Sequence, residues 1–259
     1  MFCHFFVGLF EQQKRFSRRA RVSVQYVYVL SLLYANAKNF YRRRRMVLSD
    51  MTIDGMSPEN LDVLREIGNI GAGNAVTALA SLLGREINMS DPIAQVVDFN
   101  AISDILNGPE TYISGILVDM AGDLNGYILL VLEISNAYEL VSMVLSEERP
   151  LPENISAADF GEMELSALTE IANILIGSYL SSICSLTDMN IHPSVPAIAM
   201  DMLGAIMSIV AIQYGQIGDS VLLLSTKFSD MDKEMAGHFF LIPDYESYKK
   251  LMTSLGMDA

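Results

Sequence analysis

Two pairs of carboxylate and carboxamide side chains, set at one repeated spacing, carry the chemistry this chain can offer. Asp62, Glu66, Asn69 and Pro92 recur as Ser166, Glu170, Asn173 and Pro196, each 104 residues further on. A glutamate can act as a base or pair with a cation. An asparagine does not ionise, so its use is to orient something through hydrogen bonds, and water is the obvious candidate. No Ser–His or Cys–His pair suggests a nucleophile, so covalent catalysis has little support in this sequence. Phosphoryl transfer asks mainly for in-line placement of the attacking group and for cations that neutralise charge. An amide that places water is a sufficient part for that reaction.

Such residues must be held by helices. Positions i, i+4 and i+7 share one narrow face at 3.6 residues per turn, and the apolar Leu64, Ile67 and Ile70 fall on the other side. In the second copy Leu168, Ile171 and Ile174 turn inward in the same way. Leu61, Gly73, Ser81 and Leu82 also recur, as Leu165, Gly177, Ser185 and Leu186, so the chain is an internal duplication. The periodicity predicts long helices over 58–84 and 159–187. Ser57-Pro58 is a start signal and Gly84 a stop for the first. Gly68, Gly71 and Gly73 inside that helix each cost up to ~1 kcal/mol relative to Ala, and close approach of another backbone is the expected compensation.

Both copies fit the pattern D/S-x3-E-x2-N-x22-P, and with it the chain resembles the CheC, CheX and FliY family of chemotaxis phosphatases. The segment LDVLREIGNIGAGNAVTALA is similar to the opening helix of a CheC protein, and the resemblance runs from about Met51 to the C-terminus. Two intact Glu/Asn pairs resemble the CheC branch rather than CheX, and no residues remain for the further switch domain of FliY. The resemblance implies two long helices side by side on a sheet with their Glu/Asn faces exposed. It implies hydrolysis of the aspartyl phosphate on a CheY-type response regulator, which supplies Mg²⁺ and a lysine. Asn69 and Asn173 would orient the water, and Glu66 and Glu170 would pair with the regulator's lysine. Asp62 and Ser166 are supporting positions, Pro92 and Pro196 structural ones. CheC proteins also associate with the receptor deamidase CheD, so the alternative that the resemblance implies is a non-catalytic binding module acting on CheD.

Charge agrees with a partner that brings its own cations. Residues 1–50 hold ten Lys/Arg against two acids, and residues 51–259 hold seven against twenty-nine, for −14 overall. So acidic a body disfavours nucleic acid and anionic lipid as partners. Two cysteines, Cys3 and Cys184, make no disulfide framework, and a reducing cytoplasm fits. Cys184 is expected to be buried. His192 and His238 lie far apart, so no metal and no cofactor is expected on this chain, and each His is expected to be structural. GAGNAV at 71–76 lacks the third small residue of a dinucleotide loop and follows no strand.

The domain reading is a basic extension over 1–50, disordered or preceding a later start at Met46, Met51 or Met56. A basic helix lying on a membrane surface is its alternative. One domain over 51–259 follows, made of repeats at about 56–147 and 155–259 with ERPLPEN between them. Strands are expected at Ala94–Val97, Thr111–Asp119, Tyr127–Glu133, Ala205–Gln213 and Ser220–Ser225, the last four as two hairpins. Short helices are expected at Ile102–Leu106, Ser135–Ser146 and Tyr245–Leu255. The fold class is α/β (α+β), pseudo-twofold, with two long helices packed on a mixed or antiparallel sheet.

Overall fold

Apolar residues at helical and at alternating spacing build the same series of elements twice. The computed structural model describes residues 58–256 except 91–92, 99–100, 147–149, 215–219 and 231–232. The first series is α1 (Pro58–Leu83), β1 (Asn88–Met89), β2 (Ile93–Asp98), α2 (Ile102–Ile105), β3 (Tyr112–Gly122), β4 (Gly126–Glu133) and α3 (Ile134–Val144). The second is α4 (Glu162–Thr187), β5 (Ile191–Pro193), β6 (Ala197–Met202), α5 (Leu203–Tyr214), β7 (Ser220–Asp230), β8 (Lys233–Pro243) and α6 (Tyr245–Ser254). Helices α1 and α4 are both 26 residues long. Each is followed by a residue in left-handed backbone at the equivalent position, Gly84 at φ 64° and Asp188 at φ 55°. Glycine and Asp/Asn are the residues that enter that region most readily.

The repeats are interlocked through one antiparallel sheet of order β1-β7-β8-β4-β3-β5, in which β2 also pairs with β7 and β6 with β3. Each repeat therefore hands its first two strands to the hairpin of the other. The two hairpins meet at the centre, where β4 and β8 run antiparallel with Leu129 opposite Phe240.

Both faces of the sheet are buried, which is why its strands read as nearly continuous apolar runs. Ile128, Leu130 and Leu132 of β4 and Phe239 and Leu241 of β8 face the long helices, beside Leu64, Ile67, Leu168, Ile171 and Leu175. Leu129, Val131, Phe240 and Ile242 face the opposite way, against Ile102 before β3 and against Leu203, Ile206, Met207 and Val210 of α5. Full burial of such a side chain is worth roughly 1.5–3 kcal/mol, so this two-sided core dominates the stabilisation. Among the described helices α4 alone is long and apolar enough to cross a membrane, yet its apolar side is spent in this core.

Several expectations are corrected. Residues 205–213 are helical, and the expected hairpin with Ser220–Ser225 does not form. The buried positions 203, 206, 207 and 210 follow i, i+3, i+4, i+7, which is helical spacing, and Ser208 on the other side is exposed. The hairpin of the second repeat is β7–β8, whose second strand over 233–243 was not expected, nor were β5 and β6. Helix α4 begins at Glu162 rather than at residue 159, because a short 3-10 turn at Ala157–Asp159 ends in Phe160, which is extended and buried. Cys184 is half-buried, not buried. Ser57 lies outside the described residues. His192 is exposed on β5.

The packing reading of the α1 glycines holds at Gly71 and fails at Gly73. A Cβ at Gly71 would stand 2.8 Å from Cδ1 and 3.2 Å from Cα of Tyr179, whereas one at Gly73 would meet nothing within 4 Å. The repeat equivalents of Gly71 and Tyr179 are Leu175 and Ala75, so small and large residues exchange places between the copies. Tyr179 is fully buried, stacks on Phe239 with ring centroids 4.3 Å apart, and has a hydroxyl without a hydrogen-bond partner among the described residues. Gly71→Ala is expected to destabilise the protein by about 1–3 kcal/mol through overpacking. Tyr179→Phe, which removes an unpaired buried hydroxyl, is expected to leave stability unchanged or raise it. Thermal and denaturant unfolding of the two variants checks both signs.

His238 on β8 sits opposite Ser225, whose Oγ lies 2.9 Å from its Nδ1. Burial pushes this imidazole below its ordinary value, with the nearby Glu133 carboxylate pulling the other way. The unfolded chain thus takes up the proton first, so stability is full above the ordinary imidazole range and falls as pH drops through it. His238→Gln is expected to flatten the loss of stability between about pH 7 and 5, measured by denaturant titration at both ends.

Candidate functional site

The polar stripe of α1 and that of α4 lie on neighbouring helices that pack directly on each other. Tyr179 fills the space at Gly71, and Asn74 Nδ2 donates to Ser182 Oγ at 3.3 Å across the contact. With Leu64, Ile67, Leu168 and Ile171 at 3 % exposure or less, rotation of either helix is blocked and the opposite faces must look outward. Asp62, Glu66, Ser166, Glu170 and Asn173 are exposed and Asn69 is half-buried. The structure thus brings the members of each copy together on one helix face.

The copies differ in their local electrostatics. In the first, Arg65 Nη1 donates to Asp62 Oδ1 at 2.6 Å. Asn69 Nδ2 lies 3.5 Å from Glu66 Oε2, at the long limit of a hydrogen bond. In the second, Thr169 stands where Arg65 does and donates to the Leu165 carbonyl at 2.8 Å. Ser166 Oγ likewise donates to the Glu162 carbonyl at 2.8 Å. Glu170 and Asn173 have no polar partner among the described residues. The first copy is partly engaged with itself and carries a cation, and the second presents a bare carboxylate and amide.

Pro196 is half-buried in the loop between β5 and β6. Its neighbour Ser194 ties that loop to β3, its amide donating to the Asp119 carbonyl at 2.9 Å and its Oγ accepting from the Asp119 amide at 3.0 Å. A residue without an N–H suits the start of the edge strand β6. Pro92 lies outside the described residues. The charged neighbour that sequence reasoning did not single out is Arg65; the signal was available, since its repeat equivalent is Thr169, a second difference between the stripes beside Asp62 and Ser166.

At the level of backbone this is the two-repeat α/β fold of the flagellar protein FliY. The crystal structure of Thermotoga maritima FliY superposes with a TM-score of 0.61 at 20 % identity, covering 78 % of this chain and 98 % of that one. In sequence, the model of the CheC-like family matches residues 59–94 and 163–200, the two stretches that carry the stripes. The CheY-P phosphatase CheC of Bacillus subtilis (strain 168) is 35 % identical over 207 residues, which are 78 % of this chain and 97 % of that protein. The flagellar motor switch phosphatase FliY of the same organism is 31 % identical over 150 residues, 57 % of this chain and 37 % of that protein. The chain belongs to the CheC-like family.

Proposed function

We propose that this chain is a protein phosphatase that hydrolyses the aspartyl phosphate of a CheY-type response regulator, working through two sites, Glu66/Asn69 and Glu170/Asn173. The observation that carries this reading is the outward setting of both Glu/Asn pairs, with Glu66, Glu170 and Asn173 exposed and Asn69 half-buried, on a chain that matches nearly the whole length of a protein named as a CheY-P phosphatase. In each site the asparagine amide reaches the phosphoryl group and holds a water in line with the bond to the regulator's aspartate. The water oxygen bonds to phosphorus as that bond breaks, a proton is released, and the products are inorganic phosphate and the free carboxylate. Catalysis of this kind is positioning plus charge neutralisation. The regulator supplies the Mg²⁺ and a lysine, and Glu66 or Glu170 pairs with that lysine to set the docking register. Asp62 and Ser166 flank the pair, and Pro196 shapes the loop before β6.

The direct test is the decay of a phosphorylated CheY-type regulator in Mg²⁺, alone and with the full chain. Acceleration is expected from the wild type, and Asn69→Ala/Asn173→Ala is expected to return the decay to the regulator's own rate with unfolding unchanged. A double variant that still accelerates the decay rules out the amides. A wild type that binds the regulator without accelerating its decay favours the non-catalytic module acting on CheD.

Arg65 generates a second expectation. It places positive charge beside Glu66, where the regulator's lysine is to dock, and like charges oppose each other across an interface. With Asn173→Ala in place, turnover runs through the first site alone. Adding Arg65→Thr, the residue of the other copy, is then expected to raise the rate by about 2–5-fold, chiefly through tighter binding that weakens with salt. An unchanged or slower rate shows that Arg65 does not oppose docking.

A further inference from the structure

Gly73 and Gly177 occupy the same place in the two copies, one helical turn beyond Asn69 and Asn173, and on the same stripe. Glycine is among the residues that most weaken a helix interior. Where Gly71 is required by Tyr179, nothing among the described residues requires either of these two. Beyond its own helix backbone, a Cβ at Gly73 or at Gly177 would meet no atom of the described residues within 4 Å, and neither has positive φ. Both lie well inside their 26-residue helices, far from any cap. The described fold supplies no reason for glycine at either position, which directs attention to what docks on the stripe.

The direction of helical side chains says what that reason is. A side chain in a helix leans toward the N-terminus and covers the turn before its own Cα. Any side chain at 73 would stand over the turn that holds Asn69, and any at 177 over the turn that holds Asn173. We infer that Gly73 and Gly177 are positioning residues that keep a clear path over each asparagine, so that the phosphorylated regulator's backbone can close onto the helix and its acyl phosphate can meet the amide. This rests on the phosphatase reading. It adds that the regulator touches bare helix backbone one turn beyond the amide. It also explains why two helix-weakening residues stand on an open surface.

Two double variants test it, Gly73→Ala/Gly177→Ala and Gly73→Leu/Gly177→Leu, each assayed for unfolding, for regulator dephosphorylation, and for binding to a regulator carrying beryllofluoride and Mg²⁺ as the acyl-phosphate mimic. Thermal unfolding is expected at the same or a higher temperature, since both residues are better helix formers than glycine and a Cβ at either position meets no neighbour. The alanine pair is expected to lower the dephosphorylation rate at limiting regulator about tenfold, and the leucine pair to abolish it, with loss of binding to the mimic in the same order. A leucine pair with wild-type rate and binding overturns the inference. So does a lowered unfolding temperature in the alanine pair, which would give the glycines a structural role. If the wild type binds the mimic but accelerates nothing, the phosphatase reading fails while the binding arm still decides the role of the glycines. If it does neither, both fail.

Discussion

The interaction on which everything else rests is the exchange of strands between the repeats. Strands β1 and β2 complete the hairpin β7–β8, and β5 and β6 complete β3–β4. Cut apart, each repeat would keep two central strands bare on one side and lose the partner for its first two, leaving a row of backbone donors and acceptors without mates. The same exchange fixes where the long helices sit. Each follows its own repeat's sequence but leads into strands held by the other, so α1 and α4 are drawn together over the seam where β4 meets β8.

That arrangement lets the outer faces of the helices be nearly free of structural duty. Their inner faces, with Leu64, Ile67, Leu168 and Ile171, do the packing, and the amide and carboxylate of each copy stay with few or no partners of their own. A buried amide would be satisfied by its neighbours and useless to a visiting molecule. A strongly acidic body is likewise poorly suited to bind a phosphoryl group unaided. Both features fit a surface whose missing parts, cations above all, arrive with its partner.

How much of this could be read beforehand follows from how local each signal is. Both long helices, the helix at 134–144 and the hairpin β3–β4 were legible because their periodicity lies within the segment. The stripe of Asp62, Glu66 and Asn69 was legible because it repeats. Residues 205–213 were misread because Ile206, Ile209 and Val210 favour strands while their burial in the fold follows a helical stripe; context overrode propensity. The repeat itself held the correction, since the short helix at Ile102–Ile105 has its equivalent near residue 206. β8 was missed because Gly237 and His238 interrupt its apolar pattern, and its pairing with β4 joins residues more than a hundred positions apart. The open setting of Gly73 was beyond sequence, because a glycine two positions from Gly71 can be needed by a neighbour or by none.

Strand exchange has a consequence for how such a chain arose. A single repeat could satisfy its hairpin in this way only by pairing with a second such unit, and a pairing of identical units would carry two identical stripes. Joining the copies through 145–161 removed the requirement that they be identical. In one polypeptide the stripes can differ, and they do: Arg65 and Asp62 stand in one where Thr169 and Ser166 stand in the other, and Gly71 stands where the other helix has Leu175. Linkage in one polypeptide turned an enforced symmetry into two independently adjustable surfaces.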